Sequence, residues 1–275
     1  MHLTNSSPSI TPRDRHLLRH AALAVCCAVL FAVLAALVQT GWSPLSRLDR
    51  GLIDGLHRFA ADHPVWTASV QMFSDTGGTI TMRSLLGAAA LWLWLIGART
   101  LGGWVAAQTL VGWGGQWLLK LSFGRHRPTF SDPVSHAGGP ALPSGHAMAS
   151  AIACAVLVGL LWPLVGRAGR ITACTTAALT VLGIGASRVF LGVHWPSDVL
   201  AGWLAAGMVL GSVTVLVELT RPGALARDLR RVNWRTRPRV QRVLVSPARP
   251  PRDTAGPAPD PAPDPAADHP DGLLR

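Results

Sequence analysis

The sequence predicts an all-α, multi-pass membrane protein built as a bundle of six transmembrane helices. Of the 275 residues, 49% are hydrophobic and only 14% are charged, and the mean hydropathy is +0.32. Such a composition favours a membrane protein over a soluble domain. The charges are also unevenly placed, because long apolar runs alternate with short basic loops. Residues 84–119, for example, carry a single charge, Arg99.

The first apolar run covers residues 21–38 and follows the basic residues Arg13, Arg15 and Arg19. Small residues near its end also fit a cleavable signal peptide. However, the run is longer than the usual apolar part of a signal peptide, and it nearly reaches the roughly 20 residues that a helix needs to cross hydrocarbon. We therefore expect a retained helix preceded by a cytoplasmic tail, residues 1–20.

Five further apolar runs complete the predicted six-helix domain, residues 21–220. They cover residues 84–98, 103–121, 147–165, 171–190 and 199–219. The run at 84–98 is short, and it needs to extend backward through Ile80 to make a full span. Residues 45–73 place apolar side chains at helical spacing, which predicts one or two amphipathic helices at the membrane interface.

The C-terminal part of the chain divides into two segments of different composition. Residues 221–252 contain ten arginines and form a polybasic cytoplasmic segment. Such a segment binds anionic lipid headgroups with about 1 kcal/mol per arginine, and a solvated tail is the alternative. Residues 253–275 are rich in Pro, Ala and Asp, cannot bury a core and are expected to be disordered.

The net charge of +11 raises the question of a nucleic-acid partner. Most of the excess lies close to apolar runs, where the positive-inside rule expects cytoplasmic arginine and lysine, so no nucleic-acid binding is predicted. The same rule places both termini in the cytoplasm of a cell-membrane protein. The four cysteines lie inside apolar runs without metal-type spacing and predict no disulfide framework.

Polar residues typical of phosphate chemistry occur in three short fragments. They are Lys120, Arg127 and Pro128; then Pro143, Ser144, Gly145 and His146; and finally Ser187, Arg188, His194 and Asp198. The 40 residues between His146 and Ser187 equal two membrane crossings of about 20 residues each. Two crossings return the chain to the face that it left. We therefore expect the fragments to meet on one side, the extracytoplasmic face.

These residue types match the needs of phosphoryl transfer, which requires cations on the phosphate oxygens, a nucleophile and an acid for the leaving oxygen. Lys120, Arg127 and Arg188 supply the cations. Ser144 and Gly145 precede an apolar run, so Ser144 is expected to cap that helix while its first N–H groups face an anion. Asp198 lies in the first turn of the last span, which favours its negative charge.

Two histidines are candidates for the reacting groups. His194 is the predicted nucleophile, because Asp198, four residues later, can hold the proton of its other ring nitrogen. His146 is the predicted general acid and, in the second step, the base. Taken one at a time, these residues have simpler interpretations: snorkelling cations, a surface hydrogen bond or a helix cap.

A metal site is a competing interpretation of the histidines, with His126 and His136 nearby. The sequence offers little to support it, because Asp132 is the only acidic residue between Asp75 and Asp198 and no HxH or HExxH spacing occurs. We predict no metal and no other cofactor.

The three fragments together resemble the type 2 phosphatidic acid phosphatase (PAP2) family, which shares its site with vanadium haloperoxidases. The resemblance covers residues 48–215. It implies a metal-independent membrane phosphatase that works through a phosphohistidine. By similarity, His194, His146 and Asp198 are catalytic, and the phosphate is held by Lys120, Arg127, Ser144, Gly145 and Arg188.

The resemblance leaves the substrate open. A site at the membrane face suits a lipid phosphate or diphosphate, such as phosphatidate, diacylglycerol diphosphate, phosphatidylglycerol phosphate or undecaprenyl diphosphate. Two alternatives use the same cationic cluster differently: a vanadate-dependent haloperoxidase, and an anion or lipid transporter.

Overall fold

Nine α-helices and no β-strand occur in residues 11–232, the part of the chain that the computed structural model describes. They are α1 (Pro12–Gln39), α2 (Ser43–Asp62), α3 (Pro64–Thr76), α4 (Thr79–Leu95), α5 (Arg99–Phe123), α6 (Gly145–Leu161), α7 (Arg167–Phe190), α8 (Pro196–Thr220) and α9 (Ala224–Val232). The predicted all-α fold class is therefore confirmed for these residues.

Each of the six predicted apolar runs corresponds to one helix, namely α1 and α4 to α8, although the runs at 84–98 and 147–165 extend beyond the ends of α4 and α6. Within residues 11–232, three helical segments are long and apolar enough to cross a membrane: Arg13–Gln39, Arg167–Phe190 and Pro196–Thr220. Gly145–Leu161 is a shorter apolar helix. Six crossings remain a prediction.

Two predicted boundaries are settled by the structure. α4 begins at Thr79, which supplies the expected backward extension through Ile80. The run predicted at 147–165 is too long, because α6 ends at Leu161. Pro163 explains this end, since proline offers no N–H for a helical hydrogen bond and disfavours helical backbone in the residue before it.

The amphipathic stretch at residues 45–73 forms two helices, α2 and α3. They are separated at His63, and Pro64 occupies the first turn of α3, where its missing N–H costs nothing. α2 buries Asp49, Ile53, His57 and Ala60. These residues lie three or four positions apart, so one face of α2 packs against the rest of the protein.

The core of the bundle lies around α8. Its buried apolar residues come from α1, α4, α5, α6 and α8, and they include Phe31, Leu34, Leu93, Val105, Ile152, Val156, Ala201 and Ala205. Gly202 brings two helices close together, because a Cβ atom there would lie only 2.7 Å from the carbonyl oxygen of Ser144. This approach holds the N-terminus of α6 against α8.

α9 docks on the end of the bundle that lies away from the three polar fragments. The carboxylate of Asp228 accepts hydrogen bonds from the backbone N–H groups of Thr100 (2.8 Å) and Leu101 (3.1 Å) and so caps α5. Arg231 donates to the carbonyl of Gly97 at 3.1 Å, and Val232 is buried. The sequence pattern did not predict this helix.

The predicted segments at the chain ends are only partly covered. The polybasic segment 221–252 is described as far as Val232, and the N-terminal tail 1–20 is described from Thr11. The tail at residues 253–275 lies outside the described residues.

Candidate active site

The three polar fragments meet at one end of the bundle, where α5 and α7 end and α6 and α8 begin. The backbone N–H of Ser144 donates to the carbonyl of Asp198 at 2.9 Å, which joins the second fragment to the third. Nη1 of Arg127 donates to the carbonyl of Val193 at 2.6 Å, which joins the first fragment to the third. The structure thus brings together segments that are up to 78 positions apart in the chain.

His194 lies in the loop between α7 and α8 and is 2% exposed. Its Nε2 lies 3.0 Å from Nη1 of Arg127. Since a guanidinium only donates, Nε2 accepts this hydrogen bond. The proton of a neutral imidazole is therefore on Nδ1, which faces Oδ2 of Asp198 at 3.5 Å. This distance is longer than a typical hydrogen bond.

The environment of His194 keeps the imidazole neutral. The pKa of His194 is lowered to about 4, mainly by burial and in addition by the nearby positive charges of Arg127 and Lys120, while Asp198 acts in the opposite direction. A neutral ring with the proton on Nδ1 leaves the lone pair of Nε2 available for attack on phosphorus.

Asp198 is fully buried, and its carboxylate is held by two hydrogen-bond donors. The backbone N–H of Trp195 donates to Oδ2 at 2.9 Å. Nη1 of Arg125 donates to Oδ1 at 2.6 Å. Because Pro196 begins α8, Asp198 lies in the first turn of that helix, as predicted. Both carboxylate oxygens are thus fixed in direction.

The three predicted phosphate-binding cations make hydrogen bonds to neutral groups. Nζ of Lys120 donates to the carbonyl of Pro140. The guanidinium of Arg127 donates to the carbonyls of Gly138 (3.0 Å) and Gly139 (2.9 Å). Across residues 11–232, neither side chain forms a salt bridge with a carboxylate. Their positive charges are therefore available to an anion.

Arg188 is the most deeply placed of these cations, with 4% of its surface exposed. Its Nη1 donates to Oγ of Ser74 at 2.9 Å, and Ser187 also donates to Ser74 at 2.9 Å. Its Nε is buried and has no hydrogen-bond partner in the part of the chain that is described. α3, which contributes Ser74, therefore orients this arginine while leaving one donor free.

Ser144 occupies the N-cap position of α6, as predicted, but its hydroxyl makes no capping hydrogen bond. The expectation of a side-chain cap is therefore wrong. Oγ of Ser144 is buried and has no partner among the described residues. The first backbone N–H groups of a helix have no intrahelical acceptor. The hydroxyl and the start of α6 at Gly145 together offer unused donors, a suitable setting for a phosphate.

His146 lies in the first turn of α6 and is partly exposed. Arg188, His194, Arg127 and Lys120 all act electrostatically on its imidazole. Three of these neighbours are cations, so protonation of His146 adds a fourth positive charge, which the negative charge of a bound phosphate is needed to balance. The role of His146 as an acid remains a prediction.

Comparison with known proteins places this arrangement in a family. Residues 92–222 match the family model described as the PAP2 superfamily. The chain is 32% identical over 153 residues to an Escherichia coli (strain K12) protein named "Putative undecaprenyl-diphosphatase YbjG", and the match covers 54% of this chain and 72% of that protein. The chain belongs to the PAP2 superfamily.

A further relative agrees with this assignment, and a solved structure shares the fold. Phosphatidylglycerophosphatase B of Escherichia coli (strain K12) is 36% identical over 98 residues, which is 33% of the PAP2 chain described here and only 36% of that relative's length. The crystal structure of a transmembrane PAP2 type phosphatidylglycerolphosphate phosphatase from Bacillus subtilis has the same fold, with a TM-score of 0.55 at 22% identity. That likeness covers 73% of this chain and 98% of the other.

The structure of this PAP2 protein adds two residues that the sequence argument did not select. Arg125 bridges two buried carboxylates, with Nη1 at 2.6 Å from Asp198 and Nη2 at 2.9 Å from Asp49. Asp49 also accepts hydrogen bonds from the backbone and the side chain of Ser197. The position of Asp49 in the sequence could have indicated its role, because this charged residue lies on the same apolar face of α2 as Ile53.

The other histidines near the PAP2 motifs take no part in this cluster. His126 and His136 are exposed, and His57 stacks on Phe130 and contacts Asp132 at 3.2 Å. Across residues 11–232, no group of three or more His, Cys, Asp or Glu side chains is arranged to hold a metal ion. Metal independence remains a prediction.

Proposed function

We propose that this protein is an integral membrane phosphatase that hydrolyses a lipid phosphate or lipid diphosphate without a metal, through a phosphohistidine at His194. The observation that carries the proposal is the environment of one imidazole. Nε2 of the buried, neutral His194 lies beside the Arg127 guanidinium, and Nδ1 faces Asp198. The proposed nucleophile thus lies next to both the carboxylate that orients it and a cation that can bind the phosphate.

In the first step, Nε2 of His194 attacks phosphorus and the bond from phosphorus to the lipid oxygen breaks. His146 gives its proton to that oxygen as the lipid leaves. Asp198 stabilises the charge that develops on the ring through the Nδ1 proton and does not itself take the proton. Lys120, Arg127 and Arg188 balance the charge on the three equatorial phosphoryl oxygens.

In the second step, water attacks phosphorus, and the bond between phosphorus and Nε2 breaks. His146, now neutral, accepts a proton from the water, which returns it to its starting state. Orthophosphate leaves, and His194 is again a neutral imidazole. The cationic neighbours of His146 favour its neutral form in the second step, whereas the dianionic substrate favours its protonated form in the first.

A membrane location suits a substrate with an apolar tail. We place six crossings in residues 21–220, both termini in the cytoplasm and the site at the extracytoplasmic face, because arginine is concentrated beside the opposite helix ends. There the phosphate of a lipid enters the site while its chains stay in the bilayer. The names of the relatives, phosphatidylglycerophosphatase B and undecaprenyl-diphosphatase, support a substrate of this class.

Orthophosphate release from a panel of lipid phosphates in detergent, with EDTA present, tests the proposal. We expect release from at least one lipid in EDTA, and at least a roughly 10³-fold loss of that activity in His194→Gln. His63→Gln is the matched control, because His63 is exposed and, among residues 11–232, its ring hydrogen-bonds to the carbonyl of Phe59 and stacks on the Phe59 ring, away from the polar fragments. Complete loss of wild-type activity on chelation, or full activity in His194→Gln, contradicts the proposal.

A further inference from the structure

Arg83 is a half-buried arginine that the phosphatase mechanism does not use. It lies near the start of α4, where its Nη2 donates to Oε1 of Gln116 at 2.7 Å and its guanidinium carbon lies 5.7 Å from the centre of the Trp113 ring. Within residues 11–232 it forms no salt bridge. Burying part of a charged group without a carboxylate partner costs free energy. An anion from outside the protein that binds the Arg83 guanidinium would offset this cost.

Gln116 connects this arginine to the phosphate-binding end of α6. Gln116 precedes Lys120 by one helical turn on α5, so the two side chains lie on the same face of that helix. Its amide nitrogen lies only 2.6 Å from the point that a Cβ atom on Gly145 would occupy. A single side-chain amide therefore separates the Arg83 guanidinium from the start of α6.

Arg83 also lines a groove on the surface of the bundle. A narrow groove between α4, α5 and α6 is lined by Arg83 and Gln116 together with apolar side chains that include Met82, Leu86, Trp113, Met148 and Ile152. Trp113 is 50% exposed, and neighbouring Leu110 is 61% exposed. In a membrane protein this surface faces lipid. The arginine thus lies in a groove beside exposed apolar side chains.

We propose that Arg83, oriented by Gln116, binds a second phosphate on the lipid side of the one that is cleaved. This inference rests on the proposed function and makes lipids with two phosphates the preferred substrates. The terminal phosphate contacts Lys120, Arg127 and Arg188, and the next phosphate contacts Arg83. Two sources share this chemistry: the inner phosphate of a lipid diphosphate, and the phosphodiester of a phospholipid whose headgroup ends in a phosphate. Phosphatidate lacks the second group.

The test compares lipids that carry two phosphates with lipids of the same class that carry one. Purified full-length protein and its Arg83→Gln and Arg83→Lys variants are assayed with farnesyl diphosphate against farnesyl monophosphate, and with phosphatidylglycerol phosphate against phosphatidate. We expect Arg83→Gln to lower kcat/KM roughly 10- to 100-fold for at least one two-phosphate lipid, since hydrogen bonds to charged groups have that strength. The monophosphates should change less than about 3-fold, and Arg83→Lys should recover part of the loss.

Arg58→Gln is the matched control, because Arg58 is an exposed arginine of α2. Retained monophosphate hydrolysis shows that the Arg83 variants are folded. A selective loss on farnesyl diphosphate identifies the diphosphate source, and a selective loss on phosphatidylglycerol phosphate identifies the phosphodiester source. Equal losses on all four lipids, no loss on any, or a wild-type protein that hydrolyses only monophosphates overturns the inference and leaves the phosphatase function intact. A wild-type protein that hydrolyses none of them overturns both.

Discussion

Nε2 of His194 lies 3.0 Å from Nη1 of Arg127. This contact fixes the tautomer of the imidazole, because Nε2 must accept the hydrogen bond and Nδ1 must then carry the proton. It also means that the cation expected to bind phosphate already touches the nitrogen expected to attack it. In the proposed mechanism, an incoming phosphoryl group takes the place of this hydrogen bond, and the guanidinium turns from the ring to the phosphate oxygens.

Asp198→Asn tests the tautomer. The amide has no negative charge to stabilise the imidazolium, and its NH₂ group can favour the wrong ring proton. We expect kcat to fall roughly 10²- to 10⁴-fold, the upper value being the loss of about 10⁴-fold when the carboxylate of a serine-protease triad is neutralised. Phosphate release in detergent measures the effect. An Asp198→Asn protein with wild-type kcat would remove Asp198 from the mechanism.

Arg125→Gln tests the ion-pair network behind Asp198. Arg125 joins Asp198 to Asp49, and both carboxylates are buried, so removing the guanidinium leaves two buried negative charges without their partner. We expect a loss of about 3–5 kcal/mol in the free energy of unfolding and a fall in kcat with little change in KM, because Arg125 positions Asp198 without touching the phosphate.

Two related substitutions distinguish a role of Arg125 in positioning Asp198 from a general loss of stability. Arg125→Lys restores the charge and should recover part of kcat, although lysine cannot bridge both carboxylates with a planar fork. Asp49→Asn leaves Asp198 paired, so its effect on kcat should be smaller than that of Arg125→Gln. A KM that rises while kcat stays constant would indicate that Arg125 contacts substrate instead.

The free energy of unfolding should depend on pH because of the lowered pKa of His194. Burial lowers the folded-state pKa of His194 to about 4, whereas the unfolded value is about 6.5. Between these values the unfolded chain binds more protons, so the free energy of unfolding decreases as the pH falls from about 6.5 towards 4. Thermal unfolding in detergent at several pH values should show a flatter curve for His194→Gln. Parallel curves for the two proteins would mean that His194 is not held neutral.

Asp228→Ala tests the docking of α9. Asp228 accepts from two backbone N–H groups at the start of α5, and loss of such a cap costs about 1–2 kcal/mol. We expect a lower unfolding temperature with unchanged kcat, since α9 lies away from the polar fragments. Arg230→Ala is the control, because Arg230 is exposed on the same helix. Equal effects of the two substitutions would argue against the cap.

The sequence was sufficient to predict that the three fragments converge. The interval between His146 and Ser187 matches two helices and a return, and the structure provides them as α6 and α7. The pairing of His194 with Asp198 was also predictable, since residues four positions apart across a helix start lie close together. Both conclusions depend only on spacing along the chain.

Features that depend on packing were not predictable in this way. The partners of Arg127 are carbonyls of a loop, Gly138 and Gly139, whose path has no periodic pattern. Arg125 gains its role only because α2 brings Asp49 beneath the start of α8. The Ser144 hydroxyl was expected to cap α6, but tertiary packing leaves it buried without that bond.

α9 was missed for a compositional reason. Leu225, Leu229 and Val232 have helical spacing. However, they lie in an arginine-rich segment, which is typical of a tail that binds lipid headgroups or stays solvated. A helix of nine residues is too short to be stable alone in water. Its apolar face packs on the bundle, and Asp228 binds the start of α5, so tertiary contacts stabilise it.

Trapping of the phosphoenzyme is the most direct test of the catalytic role of His194. A lipid substrate labelled with ³²P in its terminal phosphate is mixed with protein, quenched in alkali within milliseconds and digested for mass spectrometry. We predict an acid-labile, alkali-stable phosphoryl group on the peptide that contains His194, and its absence in His194→Gln. Label on another residue, or rapid turnover in which His194 is never phosphorylated, would contradict the mechanism.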